Sequence, residues 1–151
     1  MKNLKTYLII LLSIYALSSC STDKTMIAKG VNLNKYEYAS LIQSQNSFGT
    51  ETDIEIAPGI YDAVESTRLQ MVGERRIHDL SDAQKEKLVL VKYSATSTTE
   101  ESVISVSFED YMTGKTVASC RSSNQGAWNR QKDVDRAINK LRNRIINIWG
   151  R

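Results

Sequence analysis

The most regular hydrophobic pattern lies in the second half of the chain. Residues 88–93 are apolar at almost every position, which is typical of an interior strand that is covered on both faces. After a polar run at 96–101 that reads as a loop, residues 102–110 alternate between apolar and polar side chains, as a half-buried strand does. Residues 111–114 supply a turn, and residues 115–121 form the return strand. The pattern therefore predicts an interior strand followed by a β-hairpin.

Helical periodicity predicts two longer helices. Pro58 suits the first turn of a helix over residues 58–66, and the pattern leaves open whether this helix starts earlier, near Asp53. Near the end of the chain, apolar residues recur at helical steps, which predicts an amphipathic helix that docks on a core. Trp128 and Trp149 flank this last helix and are expected to cap its packing. The apolar positions of the last helix are Val134, Ile138, Leu141, Ile145 and Ile148.

Three shorter elements complete the predicted order. Residues 35–42 alternate as a first strand, residues 69–72 form a short second strand, and a capping box beginning at Ser81 predicts a short helix. Residues 43–50 and 122–127 are polar and are predicted to be loops. The sequence thus predicts an α+β domain in the order β-α-β-α-β-β-β-α. Its mixed sheet has four to five strands, with helices largely on one face.

The N-terminal segment has the properties of a signal peptide. Lys2 and Lys5 provide a positive start, and residues 7–17 are uncharged and apolar. That apolar run is shorter than the roughly 20 residues needed to cross a bilayer as a helix. We therefore expect a secretory signal and no permanent transmembrane helix.

The end of this segment, Leu17-Ser18-Ser19-Cys20, resembles the lipobox that bacterial lipoprotein signal peptidase cuts. The resemblance implies cleavage after Ser19 and acylation of Cys20, whose two or three acyl chains would hold the protein on a membrane. The alternative is an ordinary secretory signal with an incidental cysteine. The residue after Cys20 is not Asp, which in enterobacterial rules favours the outer membrane, so we expect attachment to its periplasmic face.

These boundaries divide the chain into three parts. Residues 1–19 are the predicted signal peptide, residues 20–30 a lipidated polar tether, and residues 31–151 a single α/β domain of ordinary size. The whole chain has a formal charge of +3, and part of that charge lies in the signal peptide. The overall charge of the chain therefore gives no support for a nucleic-acid partner.

The two cysteines have different expected fates. Acylation of Cys20 would leave Cys120 without a partner in its own chain, so no intramolecular disulfide is expected. We expect Cys120 to be a small buried hydrophobic residue, and a reactive or intermolecular thiol is the alternative.

Catalytic and metal-binding motifs are weak. His78 is the single histidine, no Gly-x-Ser-x-Gly motif marks a nucleophile, and we expect His78 to face solvent in a loop. No cysteine pair, calcium loop or glycine-rich phosphate loop indicates a metal or a cofactor. The carboxylates Glu100, Glu101, Glu109 and Asp110 neither establish nor exclude a glycosidase pair. We therefore predict no catalytic residue, no cofactor and no enzyme activity.

One surface of the last helix has a distinct charge. Four cations follow one another at four-residue steps opposite the apolar face: Lys132, Arg136, Lys140 and Arg144. Such a stripe is either a solvated helix face or a docking face for an acidic partner, which could be a protein, anionic lipid headgroups or envelope glycan.

The hairpin text from Val106 to Ser119, with Thr113-Gly114-Lys115 in its turn and a closing helix after it, is similar to small periplasmic lipoprotein domains. These domains are related to the curli-secretion lipoprotein and to the lipoprotein activators of peptidoglycan synthases. The resemblance implies an α/β sandwich that contacts another envelope protein or copies of itself. It transfers no catalytic residue, and the membrane-inserting segments of the pore-forming members have no counterpart here.

Together these features predict a lipid-anchored, non-catalytic periplasmic domain that binds or scaffolds another component of the cell envelope. The alternative is a lipoprotein that binds a small molecule or a glycan, or a hydrolase whose site is assembled only in the fold. A deep pocket with convergent polar groups would favour the alternative. A shallow surface with an exposed strand edge would favour the scaffold.

Overall fold

The computed structural model describes residues 23–42, 51–97, 101–125 and 130–151, and structural statements below refer to these residues. They form six strands and three α-helices, with short 3₁₀ segments at Leu33–Lys35 and Glu74–Asp79. In chain order the elements are β1 (Lys24–Ile27), β2 (Tyr38–Leu41), α1 (Glu51–Glu65), β3 (Gln70–Met71), α2 (Asp82–Lys85), β4 (Leu88–Ser97), β5 (Glu101–Asp110), β6 (Thr116–Gln125) and α3 (Arg130–Trp149).

The six strands form one mixed sheet in the order β1-β6-β5-β4-β2-β3. The neighbouring pairs β1–β6, β6–β5 and β5–β4 are antiparallel, whereas β2 runs parallel to both β4 and β3. The α+β class and the interior position of the strand that begins at Leu88 are confirmed, because β4 lies between β5 and β2. The prediction of four to five strands is wrong, since the sheet has six.

The strand missing from the predicted order is β1. It lies within residues 20–30, which the sequence analysis assigned to a tether, and it pairs with β6 at the edge of the sheet. All four residues of β1 are exposed, so the strand has no buried side and no alternating pattern to reveal it.

The end of β6 also differs from the prediction. The segment 122–127 was expected to be a loop, but β6 continues to Gln125, and Ser122 and Asn124 are buried. Polar residues at these buried positions do not give the apolar pattern of a strand, because they are satisfied by hydrogen bonds to other elements. Asn124 Nδ2, for example, donates to the buried carboxylate of Asp133. The predicted loop 43–50 lies outside the described residues.

Helix α1 begins at Glu51, seven residues before Pro58. Pro58 therefore sits inside the helix, where its missing N–H removes one backbone hydrogen bond. Burial of Ile56 and Ile60 on the core side offsets that cost, and Ala63 and Val64 share the same face. The capping box at Ser81 is also confirmed.

Helices α1 and α3 pack on one face of the sheet and enclose the core. Trp149, at the end of α3, is buried there, with edge-to-face contacts to Phe108 at 5.1 Å and Tyr36 at 6.0 Å between ring centroids. The predicted packing role of Trp149 is confirmed, whereas Trp128 lies outside the described residues. The apolar face of α3 is as predicted, with Val134, Leu141 and Ile145 fully buried and Ile138 and Ile148 partly buried.

Asp110 ties the hairpin turn to the segment before β2. Its Oδ2 accepts hydrogen bonds from Lys35 Nζ and from the Tyr36 hydroxyl, both at 2.8 Å, and its Oδ1 accepts from the backbone and hydroxyl of Thr113. Burial acts against the ionised carboxylate, but these donors outweigh it and hold the pKa of Asp110 well below its ordinary value. Gly114 closes the turn with a φ of +66°.

Candidate functional site

Among the described residues, those that cover the second face of the sheet lie at one end of it. Residues 74–85 lie over β2, where Gln84 Nε2 donates to the Tyr38 hydroxyl at 3.4 Å and where Ser40 and Leu88 are fully buried. Along β5, the residues that point to this face are half-buried, whereas their neighbours on the core side are buried. We call the uncovered part of β4, β5, β6 and β1 the open face.

Two shallow depressions lie on the open face. The first has a volume of about 420 Å³ and the second about 400 Å³, and both are open to solvent. Ser105 and Ser107 point to the open face, in agreement with the alternation predicted for residues 102–110. The serine and cationic side chains along the first depression are Ser94, Ser105, Ser107, Ser119, Lys24, Lys92 and Arg121.

Strand register brings these groups together. Ser105 lies opposite Ser94 on one side and Arg121 on the other, while Ser107 lies opposite Lys92 and Ser119. Hydroxyl groups both donate and accept hydrogen bonds, and the cations only donate. The open face can therefore bind polar or anionic groups over an extended area.

The charge of Lys92 on β4 is neutralised within the open face. Lys92 Nζ lies 2.6 Å from Glu109 Oε2, and the carboxylate is mostly buried beneath it. At the β1 edge, by contrast, Lys24 lies directly opposite Arg121, and both side chains are exposed. The positive character of the open face is thus concentrated at this edge.

A clamp holds β1 at the edge of the sheet. Asp23, just before β1, accepts a hydrogen bond from the backbone N–H of Ser123 at 2.8 Å and pairs with Arg144 Nη2 at 3.0 Å. Arg144 Nη1 also donates to Thr25 Oγ1 at 3.3 Å. Burial acts to raise the pKa of Asp23, but the Ser123 amide, Arg144 and Lys140 outweigh it and lower that pKa. Beside the clamp, the Met26 side chain is 54% exposed and Ile27 is 49% exposed.

The predicted basic stripe of α3 is divided by this clamp. Lys132 and Arg136 are exposed, whereas Lys140 Nζ donates to the Ser123 carbonyl at 2.9 Å and Arg144 joins Asp23. Each four-residue step turns about 40° around a helix, so the stripe winds from solvent toward β6. Docking of an acidic partner on the stripe stays a prediction. The second half of the stripe, Lys140 and Arg144, already contacts β6 and the start of β1.

The residues considered for catalysis do not converge. His78 is exposed in the 74–79 segment, 3.1 Å from its neighbour Asp79, and it lines neither depression. Glu109 and Asp110 are adjacent in β5 and point to opposite faces of the sheet. Glu101 shares the open face with Glu109 but lies roughly 26 Å away along the strand. Glu100 is outside the described residues, and among those described no three metal-binding side chains cluster.

Cys120 faces the core and is buried, as the sequence predicts. Burial raises the pKa of its thiol to about 12, although Arg144 acts in the opposite direction. A thiol with that pKa carries almost no thiolate at neutral pH, so it is a poor nucleophile. Cys20 lies outside the described residues. In the part of the chain that is described, no helix is both long and apolar enough to cross a membrane.

No family model matches the chain, and no curated protein matches it. Similar solved structures include two PelC dodecamers from Paraburkholderia phytofirmans. One, a point variant, is 8% identical with a TM-score of 0.50 and covers 82% of this chain and 98% of PelC. The other is 10% identical with a TM-score of 0.49 and covers 83% and 96%. A homolog of a neuraminyllactose-binding hemagglutinin from Helicobacter pylori is 12% identical with a TM-score of 0.36, covering 80% and 82%. The likeness to the PelC variant shows that this chain shares its fold.

Proposed function

We propose that this chain is a lipoprotein anchored through Cys20 to the periplasmic face of the bacterial outer membrane. Its domain binds or scaffolds another envelope component and performs no catalysis. The lipobox resemblance supports the anchor, and the likeness of the hairpin text to curli-related and synthase-activating lipoproteins supports the class of partner.

The observation that carries the binding role is the open face. It combines shallow depressions, a row of serine hydroxyls and an exposed strand edge, whereas a small-molecule site is a concave pocket that surrounds most of its ligand. A broad polar surface suits a macromolecule that makes many weak contacts.

A second copy of the chain is one partner of this kind. The PelC variant that shares the fold is a dodecamer, so the fold is compatible with self-association. Self-association and binding of another envelope protein would use the same surface. A cross-linking experiment distinguishes them by the mass of the cross-linked product.

Site-specific cross-linking tests the open face. A photo-reactive amino acid replaces Ser105 on the open face or, as a matched control, Asn139 on the exposed side of α3, and whole cells are irradiated. We expect a discrete protein adduct from position 105 and none from position 139. An adduct of twice the monomer mass identifies a second copy. Equal labelling from both positions, or glycan fragments without protein at position 105, would contradict the scaffold role.

Fatty-acid labelling tests the anchor separately. The wild-type protein is expected to incorporate labelled palmitate and to remain with outer-membrane fractions, whereas Cys20→Ala loses both properties. Cys120→Ala is the control, since its thiol is buried and should not affect labelling. Continued labelling of Cys20→Ala would remove the lipoprotein proposal.

A further inference from the structure

Two cations face each other at the edge of the sheet. Lys24 and Arg121 are directly opposite in the β1–β6 pair, both exposed on the open face, and neither forms an ion pair with a described residue. Like charges directly opposite each other on neighbouring strands destabilise the pair. An anion from outside the domain would relieve that repulsion.

Further charge of the same sign lies on the helix side of the same edge. Lys140 and Arg144 both act on Asp23, which is the carboxylate of the clamp. Lys24 and Arg121 on the open face, and Lys140 and Arg144 on the helix side, therefore place four cations at this edge, and Asp23 pairs with the helix side. The edge carries an excess of positive charge.

The position of this edge along the chain indicates what the anion is. Asp23 is fixed to β6, and Cys20 precedes it by three residues, a span of at most about 11 Å. An acyl-anchored Cys20 would hold this edge within about one Debye length of the membrane surface. Headgroup phosphates would then lie within reach of Lys24 and Arg121.

We infer that the β1 edge is a membrane-contact surface, in which Lys24 and Arg121 together bind the phosphates of anionic phospholipid headgroups. This inference rests on the proposed acylation of Cys20. The exposed Met26 lies two residues after Lys24 on the same side of β1 and contacts the interfacial region of the bilayer. The contact turns the β1 edge of the anchored domain toward the membrane.

Amine labelling in defined vesicles tests this contact. The full-length acylated protein is reconstituted in vesicles of phosphatidylcholine, with or without phosphatidylglycerol, and labelling of each lysine is followed by mass spectrometry. Each cation near an anionic surface favours contact about fivefold, so Lys24 should react at least about fivefold more slowly on anionic vesicles. Lys115, exposed in the turn at the other end of β6, is the internal control. High salt should restore the Lys24 rate.

Charge-reversal variants sharpen the result. Arg121→Glu supplies Lys24 with an internal counter-charge and should abolish the lipid-dependent protection, whereas Lys115→Glu, the same charge change elsewhere, should leave it intact. Equal Lys24 rates on both vesicles with Cys20 acylated would overturn the headgroup contact alone. An unacylated Cys20 would overturn the anchor as well. Protection that appears on both vesicles and grows with protein density would assign the edge to a second copy and reject the lipid contact.

Discussion

The hydroxyl of Tyr36 donates a 2.8 Å hydrogen bond to the carboxylate of Asp110, a residue 74 positions further along the chain. Lys35 reaches the same oxygen, so consecutive residues before β2 hold the turn that joins β5 to β6. The ring of Tyr36 also packs against Trp149. The Asp110 carboxylate therefore joins the turn between β5 and β6 to Tyr36 and, through the Tyr36 ring, to the part of the core around Trp149.

Loss of the Asp110 carboxylate should strongly destabilise the domain. Asp110→Ala leaves the Tyr36 hydroxyl and the Thr113 amide without their acceptor, and we expect a loss of about 3 kcal/mol in the free energy of unfolding. Tyr36→Phe removes a single donor and should cost about 1–2 kcal/mol. Urea unfolding followed by circular dichroism measures both.

The Glu37–Lys87 pair is the control for this prediction. Its Nζ–Oε1 distance is also 2.8 Å, but both partners are exposed, so Glu37→Ala should have little measurable effect. Equal losses in Asp110→Ala and Glu37→Ala would show that burial of Asp110 contributes nothing.

Stability should fall in acid because of Asp110 and Asp23. Both carboxylates have a pKa below the ordinary value of 3.8 in the folded protein, so the unfolded chain binds protons more readily. Their contribution is complete above that value and is lost as the pH falls below it. The free energy of unfolding should therefore change little from pH 7 to 5 and decrease from pH 4 to 2.

The variant Asp110→Asn separates this effect from general acid unfolding. It should be less stable at pH 7 and should show a shallower decrease between pH 4 and 2. The exposed Glu86→Gln should retain the wild-type slope. A parallel decrease in all three proteins would refute the assignment.

The close contact between α1 and α3 at Gly59 should limit substitution there. A Cβ at Gly59 would lie 2.9 Å from Ile138 Cγ2, a branch on a side chain with little χ1 freedom in a helix, so even a methyl group requires a small shift that offsets its gain in helix propensity. Gly59→Ala gains helix propensity of about 1 kcal/mol and should be nearly neutral. Gly59→Val cannot be accommodated so easily and should cost about 1–3 kcal/mol.

A double-mutant cycle tests this contact. Ile138→Ala creates space beside position 59, so Gly59→Val should be less destabilising in that background than in the wild type. Additive losses would indicate that the two helices separate and that Ile138 is not the limiting contact.

The clamp should control local opening of β1. Asp23→Asn weakens the charge-assisted bond to Arg144, and the amides of β1 should exchange with solvent about tenfold faster. Global stability should fall only modestly, because β1 lies outside the core. Arg136→Gln, on the exposed side of α3, should leave β1 exchange unchanged, and unchanged exchange in Asp23→Asn would argue against the clamp.

The sequence predicts the elements that have one buried side. The interior strand at Leu88, the hairpin and the last helix each carry an apolar pattern with the period of their structure, so local inspection locates them. Strand β1 has no such pattern because all its residues are exposed, and it is held by backbone pairing and by Asp23. Ser122 and Asn124 were missed because their polar groups are satisfied by partners in other segments, Asp23 and Asp133.

The candidate site depends even more on register. The outward orientation of Ser105 follows from alternation within β5, but its position between Ser94 and Arg121 requires the pairing of three strands. The stripe on α3 was visible in sequence as four equivalent cations. Only the packing of α3 against β6 distinguishes the exposed Arg136 from Arg144, which holds Asp23.

The pairing of Asp23 with Ser123, one hundred positions apart, also has a consequence for the order of folding. Strand β1 can dock only after β6 has joined the sheet and α3 has brought Arg144 alongside it. Closing so long a loop is entropically expensive, and an edge contact returns little stabilisation until its neighbours are in place. The first strand of the chain is therefore the last to dock, and changes at Asp23 should accelerate unfolding while leaving the folding rate almost unchanged.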